Sequence, residues 1–363
     1  MKVRLNKFMK LNPLKIDDIS VRLPIIQGGM GVGVSLSNLA SAVTNAGGIG
    51  VISSAQIGFR EKDFDKKPFE CNINALKKEI ALAKEKCKNG VLGVNIMVAT
   101  TGYAESVKAA IEAGIDIIIS GAGLPTVLPK LVKGSKVKIA PIVSSLKAAK
   151  ILLKLWDKHD EATADMVIIE GPKAGGHLGF KADKLEDEQE HFDDTVVNII
   201  EEVKKYREKY SKDIPVIVAG GVFDASDVAR YLKLGANGVQ MATRFVATEE
   251  CDASIEFKNA YINATKEEVS IVKSPVGMPG RAILNPFVKA TKQKNIKVTK
   301  CYNCLEPCNP SSTPYCITAA LINAVKGDVD NGLIFCGENV YKVNKISKVK
   351  EIIDEIQEEI VNY

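Results

Sequence analysis

The chain contains only three histidines, and their settings differ. His159 and His191 lie in charged stretches that read as solvated surface. His177 stands in Glu170-Gly-Pro-Lys-Ala-Gly-Gly-His-Leu-Gly179, flanked by glycine and closely following an apolar run. Imidazole is the side chain best tuned to take or give a proton near neutral pH, so His177 is a candidate catalytic residue. The plainer alternative is a structural histidine satisfied by its neighbours, and a place at the end of a strand weighs against it. A second constellation is Cys301-x2-Cys304-x3-Cys308-x7-Cys316. Four thiolates at such spacing could hold zinc or an iron–sulfur cluster. They could equally be four ordinary thiols in a loop broken by Pro307, Pro310 and Pro314. Cys71, Cys87, Cys251 and Cys336 are isolated. In a long chain such bunching argues for metal or redox chemistry rather than a disulfide framework.

These residues need a scaffold, and the apolar pattern predicts one. Short Val- and Ile-rich runs recur at Leu23–Gly28, Gly48–Ser53, Leu92–Val98, Asp116–Ser120, Lys138–Val143, Met166–Glu170, Pro215–Ala219 and Gly238–Ala242. Each is continuously apolar, as in parallel strands buried on both faces. Helix-like segments separate them, among them Leu36–Ala46, Ile73–Cys87, Ala104–Ala113, Leu146–Lys154, Thr195–Tyr210 and Ala225–Leu234. Eight such alternations predict an α/β fold, a closed (β/α)8 TIM barrel, with an open doubly wound sheet as the competitor. Function should then sit at the C-terminal strand ends.

Those ends carry the remaining motifs. Strand one ends in Gln27-Gly28-Gly29-Met30, where glycine lets backbone approach a flat ligand or simply makes a tight turn. Asn95 is a polar residue inside the third run and needs a hydrogen-bond partner, from a ligand or from the protein. The fourth run ends in Ser120-Gly-Ala-Gly123. Strand six leads to Gly175, Gly176 and His177. Strands seven and eight end in Gly220-Gly221 and in Gln240-Met241-Ala242-Thr243-Arg244. Loops at those two positions are the usual phosphate site of such barrels. Arg244 could add charge there or pair with a nearby acid. A phosphorylated cofactor fits these ends better than a free metal.

The 363 residues divide on this reading into a barrel over 1–250 and a C-terminal extension over 251–363 that holds the cysteines and packs on the barrel. The net charge of +5 comes from scattered, interleaved groups, so no nucleic-acid surface is expected. No apolar run reaches the roughly 18 residues that span a bilayer, so no membrane segment is expected. Met1–Lys10 is basic, but no signal-like apolar stretch follows, and the expected location is cytoplasmic. Two insertions stand out, Gln56–Phe69 and the acidic Phe180–Phe192, the latter placed to act as a lid. Helices are expected near Ile317–Lys326 and Lys348–Val361. Apolar residues on the last could serve a homodimer or cover the barrel.

Taken together, Gln27-Gly-Gly-Met, Gly-Val-Asn95, Ala-Gly-Gly-His177-x-Gly, Ala219-Gly-Gly and Gln240-x-x-Thr243-Arg-Phe resemble the nitronate monooxygenase family, formerly the 2-nitropropane dioxygenases, in order through about residues 20–250. The resemblance implies an FMN cofactor touched by Asn95, Glu170, Gly175, Gly220 and Gln240–Thr243, with His177 as the acid–base residue. It implies oxidation of a small alkyl nitronate with O2 to a carbonyl compound and nitrite. Glu170 and the Gly28-Gly29 pair are also similar to the flavin-dependent enoyl-acyl-carrier-protein reductases, which would pass hydride from NAD(P)H to an enoyl thioester. A metal cluster at the cysteines would favour a reductase. Two other classes are a flavin-free phosphate-binding dehydrogenase barrel, which needs a nucleophilic cysteine that no strand end carries, and a non-catalytic ligand sensor.

Overall fold

The computed structural model describes residues 9–363. All but the last two residues of the basic stretch Met1–Lys10 lie outside that range. Eight parallel strands form the centre: β1 (Ile25–Gln27), β2 (Gly50–Ser53), β3 (Leu92–Met97), β4 (Ile117–Gly121), β5 (Lys138–Val143), β6 (Val167–Glu170), β7 (Val216–Ala219) and β8 (Gly238–Met241). They are hydrogen-bonded in the order β1-β8-β7-β6-β5-β4-β3-β2. The last seam closes between β1 and β2 through a parallel bridge from Ile26 to Ile49. There Ile49 N–H donates to Ile25 O (3.0 Å) and Gln27 N–H to Ile49 O (2.9 Å). The fold is the expected (β/α)8 barrel, with every expected strand present to within two residues.

Successive side chains along these strands point alternately into and out of the barrel. Ile26, Val51, Ile117, Ile119, Ile168 and Ile217 fill the interior, whereas Ile25, Ile52, Ile118, Val167, Ile169 and Val218 meet the surrounding helices. Both directions are apolar, which is why each strand reads as an unbroken hydrophobic run. A hairpin, Leu14–Ile16 with Ile19–Val21, plugs the N-terminal end by adding Leu14, Ile16 and Val21 to the interior cluster. Its three-residue strands carry too little alternation to register in the sequence.

Seven helices of the outer ring are α1 (Ser37–Asn45), α2 (Pro68–Lys86), α3 (Tyr103–Glu112), α4 (Leu128–Val132), α5 (Leu146–Asp160), α6 (Phe192–Tyr210) and α7 (Ala225–Lys233). Sequence chemistry sets several of their starts. Pro68 opens α2, Ser145 accepts from Ala148 N–H (3.2 Å) at α5, and Asp224 with Asp227 forms a capping box at α7. The last helix, α8 (Val349–Glu359), packs against α1 and α7 and completes the ring. Val349, Ile352, Ile353 and Ile356 join the same core as the barrel strands. The apolar stripe considered for a dimer is thus buried within the chain. Arg244, just past β8, pairs with Glu355 of α8 at 2.5 Å, so it serves as an ion-pair partner.

Between β8 and α8 the chain builds a cap over the C-terminal mouth. It contains helices Ile255–Ile262, Pro286–Gln293 and Ile317–Val325 and the antiparallel strands Val269–Lys273 and Pro279–Ile283, with apolar clusters of its own. The expected lid at Phe180–Phe192 does not cover the mouth. It folds as a short 3-10 turn and the helix Leu185–Glu190, and none of its residues faces the central cavity. Among the described residues, no helix is long and apolar enough to cross a membrane.

Because α8 closes the ring, trimming its buried face should weaken the whole barrel. Ile353, 1% exposed, is the probe. Ile353→Ala should cost about 2–5 kcal/mol in urea unfolding. Val361→Ala, at a residue 38% exposed, should stay within about 0.5 kcal/mol of the parent.

Candidate active site

A cavity of about 390 Å³ lies at the C-terminal mouth, between the strand ends and the cap. Strand alternation decides which polar residues enter it. Val94 and Ile96 point outward on β3, so Asn95 points in; Ile169 points outward on β6, so Glu170 points in. On β8, Val239 and Met241 point outward and Gln240 faces the cavity. The same parity removes two expected contacts. Met241 is buried against the helices. Gln27 is out of phase with Ile26, and its amide spans the seam, accepting from Val51 N–H (2.9 Å) and donating to Val51 O (3.1 Å). Neither side chain lines the cavity. The other expected residues do: Gly28, Gly29, Met30, Gly175, Gly176, Gly220, Gly221, Ala242 and Thr243.

Bare backbone dominates the rim. Gly220 and Gly221 have φ of +93° and +88°, and a Cβ on Gly220 would sit 2.7 Å from Gly171 O. Only glycine allows that left-handed pair to press against the β6 loop. Gln240 Oε1 is buried and has no hydrogen-bond partner. An unmet buried acceptor costs about 1–3 kcal/mol, so the position calls for a ligand that brings a donor. Asn95 Nδ2 makes only a long bond to Ile119 O (3.4 Å). Part of the Glu170 carboxyl faces the cavity, yet the protein around it excludes most solvent and pushes its pKa up to about 7.

His177 is presented by the cap as much as by the barrel. Gly176 and His177 form a two-residue strand that pairs with Pro279–Ile283, His177 opposite Gly280. The imidazole Nε2 lies 2.6 Å from Ser274 Oγ, and the Phe335 ring meets the imidazole edgewise at 5.0 Å. Val276 N–H donates to the same Ser274 oxygen (3.3 Å). The serine hydroxyl can donate to Nε2 or accept from it; when it donates, the ring proton stands on Nδ1. Burial pulls His177 down to about 4, so the ring is neutral at neutral pH. Ser274, Phe335 and the remaining cap residues at the site were not legible from sequence. Gly337 N–H donates to Thr243 Oγ1 (3.2 Å), and Asn339 Nδ2 donates to Gly221 O (2.7 Å), which fastens the cap across the loops after β7 and β8.

The four cysteines of the expected metal motif share one loop. Cys301 is exposed and Cys304, Cys308 and Cys316 are half-buried, all as free thiols. Among the described residues, no three His, Cys, Asp or Glu side chains converge to hold a metal. The loop instead docks on the end of β3. Thr101 N–H donates to Cys304 O (3.2 Å), Glu306 N–H donates to Ala99 O (3.0 Å), and Cys304 and Cys308 pack on the apolar cluster that includes Met97 and Phe335. Burial pushes the Cys304 thiol up to about 11. Spacing brought the four cysteines into one loop, but the loop's packing sets where they point.

The nitronate monooxygenase family model matches residues 12–359. The chain belongs to the nitronate monooxygenase family. Members of this family are oxidoreductases, and the match spans barrel, cap and α8 alike. The chain is 28% identical over 304 residues to a probable nitronate monooxygenase of Staphylococcus saprophyticus, covering 77% of this chain and 81% of that one. It is 26% identical over 273 residues to a (3aS,4S,5R,7aS)-5-hydroxy-7a-methyl-1-oxo-octahydro-1H-indene-4-carboxyl-CoA dehydrogenase of Rhodococcus jostii, and that match spans 65% of the dehydrogenase's length. Among solved structures, FabK from Thermotoga maritima is 28% identical, with a TM-score of 0.73 and 94% of each chain covered. A nitroalkane oxidase from Streptomyces ansochromogenes shares the fold at a TM-score of 0.71 and 18% identity, with 94% of this chain and 96% of that one covered.

The two shifted groups should shape stability in opposite directions. Glu170 holds its proton more tightly folded than unfolded, so stability falls as pH rises from 4.5 to about 7. His177 holds its proton less tightly folded, so stability falls as pH drops from 6.5 to about 4. Between pH 4.5 and 6.5 these two slopes oppose each other and nearly cancel, so urea unfolding of ligand-free protein should show a broad plateau there. Glu170→Gln should leave a stability that rises with pH across that interval, and His177→Gln one that falls. A Glu170→Gln profile that still falls over the same interval would contradict the assignment.

Proposed function

We propose that the chain binds FMN in this cavity and oxidises alkyl nitronates, with O2 as co-substrate, to a carbonyl compound and nitrite. The observation that carries this reading is the state of His177: an uncharged imidazole, held at Nε2 by Ser274, that borders an apolar cavity. A nitronate is already an anion, so no proton need leave its carbon. It needs a donor for its oxygens and shelter for its alkyl part. Nδ1–H of His177 can supply the first; Leu124, Ile142, Met278 and Phe335 supply the second. A neutral nitroalkane would need a base, and a ring brought down to about 4 is a weak one.

FMN would bring the electron chemistry, and the residues present fit it. A flavin ring N–H is a donor of the kind that Gln240 Oε1 lacks. Glu170, partly protonated at neutral pH in its buried setting, would repel an electron-rich ring less than a free carboxylate. Asn95 offers an amide beside it. The backbone at Gly175, Gly176, Gly220 and Gly221, with Thr243, would hold the phosphate. Gln27 and Met241 would act through the barrel rather than by side-chain contact.

A second reading is NAD(P)H-dependent reduction of an enoyl thioester. It is favoured by the 28% identity to FabK, an enoyl-acyl-carrier-protein reductase, over 94% of both chains.

The test is anaerobic mixing of the purified, FMN-loaded protein with a nitronate, NADH or NADPH while the flavin absorbance is followed. The nitronate should change the spectrum quickly and the nicotinamides should not; rapid full bleaching by NADH or NADPH would select the reductase reading instead. In air, nitronate should drive oxygen uptake and nitrite release faster than the parent nitroalkane. His177→Gln should keep FMN and lower nitronate turnover about 100-fold. A protein that does not retain FMN would overturn the proposal.

A further inference from the structure

The loop that carries His177 is held on its far side by one buried cation. Arg281 lies in the cap strand Pro279–Ile283, opposite Gly176 and next to Gly280, the pairing partner of His177. Its side chain is 7% exposed. Nη1 donates to Pro172 O (2.7 Å) and to Ala174 O (2.6 Å), and Nη2 stands 3.3 Å from Glu338 Oε2. One guanidinium therefore joins the start of the His177 loop, the strand beside it and the cap segment that bears Glu338. Backbone bonds reinforce the junction: Cys336 N–H donates to Arg281 O (3.1 Å), and Glu338 N–H donates to Lys173 O (3.2 Å). Gly175 packs so closely here that a Cβ would come within 2.6 Å of the Cys336 carbonyl carbon.

A buried guanidinium is a costly way to fill space. An apolar side chain of similar volume is often as stabilising or more so. What an apolar side chain cannot do is engage two carbonyls on either side of Lys173. Those carbonyls belong to a loop that turns too sharply for a regular ladder. Nη1 serves both carbonyls and leaves Nη2 for Glu338, whereas lysine has one nitrogen and cannot hold the loop and the carboxylate from two fixed points.

The geometry points to Arg281 as a positioning residue for His177. By fixing Pro172 and Ala174 it sets where the imidazole stands relative to Ser274 and the cavity. Glu338, which also lies 3.9 Å from Lys173 Nζ, orients the guanidinium from the cap side. The use of His177 in turnover rests on the reaction proposed above, but the position of its ring does not. The experiment reads the ring itself, so the two ideas can fail separately.

The full-length protein as purified, labelled with 15N only in histidine, suits this test because it has three histidines and His177→Gln identifies the relevant signals. Arg281→Met should move the His177 ring resonances and remove the sign of its bond to Ser274. Arg281→Lys should give an intermediate shift, and Glu338→Gln a smaller one. Lys212→Met is the control: it breaks a pair with Asp165 (2.5 Å) at the other end of the barrel and should lower stability without moving His177. With a nitronate, Arg281→Lys should lower kcat about 10- to 100-fold and change KM less. Should Arg281→Met not fold, Arg281→Lys and Glu338→Gln carry the test. Folded Arg281 variants with parental His177 resonances would overturn the inference, as would a Lys212→Met control that shifts them equally.

Discussion

Across the seam between β1 and β2 the barrel has one bridge, Ile26 to Ile49, and the amide of Gln27 extends it by bonding both backbone groups of Val51. A side chain here takes over the work of a missing ladder pair. Closure matters beyond stability. Once the eight strands form a ring, every residue on them must point either into the barrel or toward the helices. That choice puts Asn95, Glu170 and Gln240 together at the mouth and holds Met241 away from it. Gln27 itself is unavailable to a ligand because the seam occupies it.

The titratable groups at this mouth are shielded from solvent by the surrounding protein. One cause, loss of water, lifts Glu170 to about 7 and lowers His177 to about 4. Both changes favour the neutral form. The charged groups near the rim, Lys173, Arg281 and Glu338, are engaged with one another. A ligand entering this space meets donors and acceptors rather than fixed charges, and the unmet Gln240 oxygen shows where one of its donors belongs.

The cap is held at both ends by the barrel. It leaves after β8 and returns as α8, which sits between α1 and α7 in the helical ring. The strand Pro279–Ile283 pairs with the strand that contains His177, so the cap cannot shift without moving that residue. Ser274 and Phe335, both from the cap, complete its surroundings. Acid–base character at this site is therefore a property of the barrel and the cap jointly.

The barrel was legible in sequence because β strands buried on both faces must be apolar throughout, and eight such runs with helices between them leave few alternatives. The glycine clusters and His177 were legible because strand ends are where a barrel exposes backbone. Parity along β8 could also have excluded Met241 from sequence alone. Other features depended on contacts between distant segments. Spacing grouped the four cysteines, but only packing decided that their loop docks on the end of β3. The last helix was recognisable as amphipathic, yet only packing made it the eighth helix of the ring. Residue types and their order determined the barrel and the histidine's place at its mouth. Tertiary structure decided the state of that histidine, because the serine that bonds it, the ring beside it and the arginine behind its loop all come from segments far along the chain.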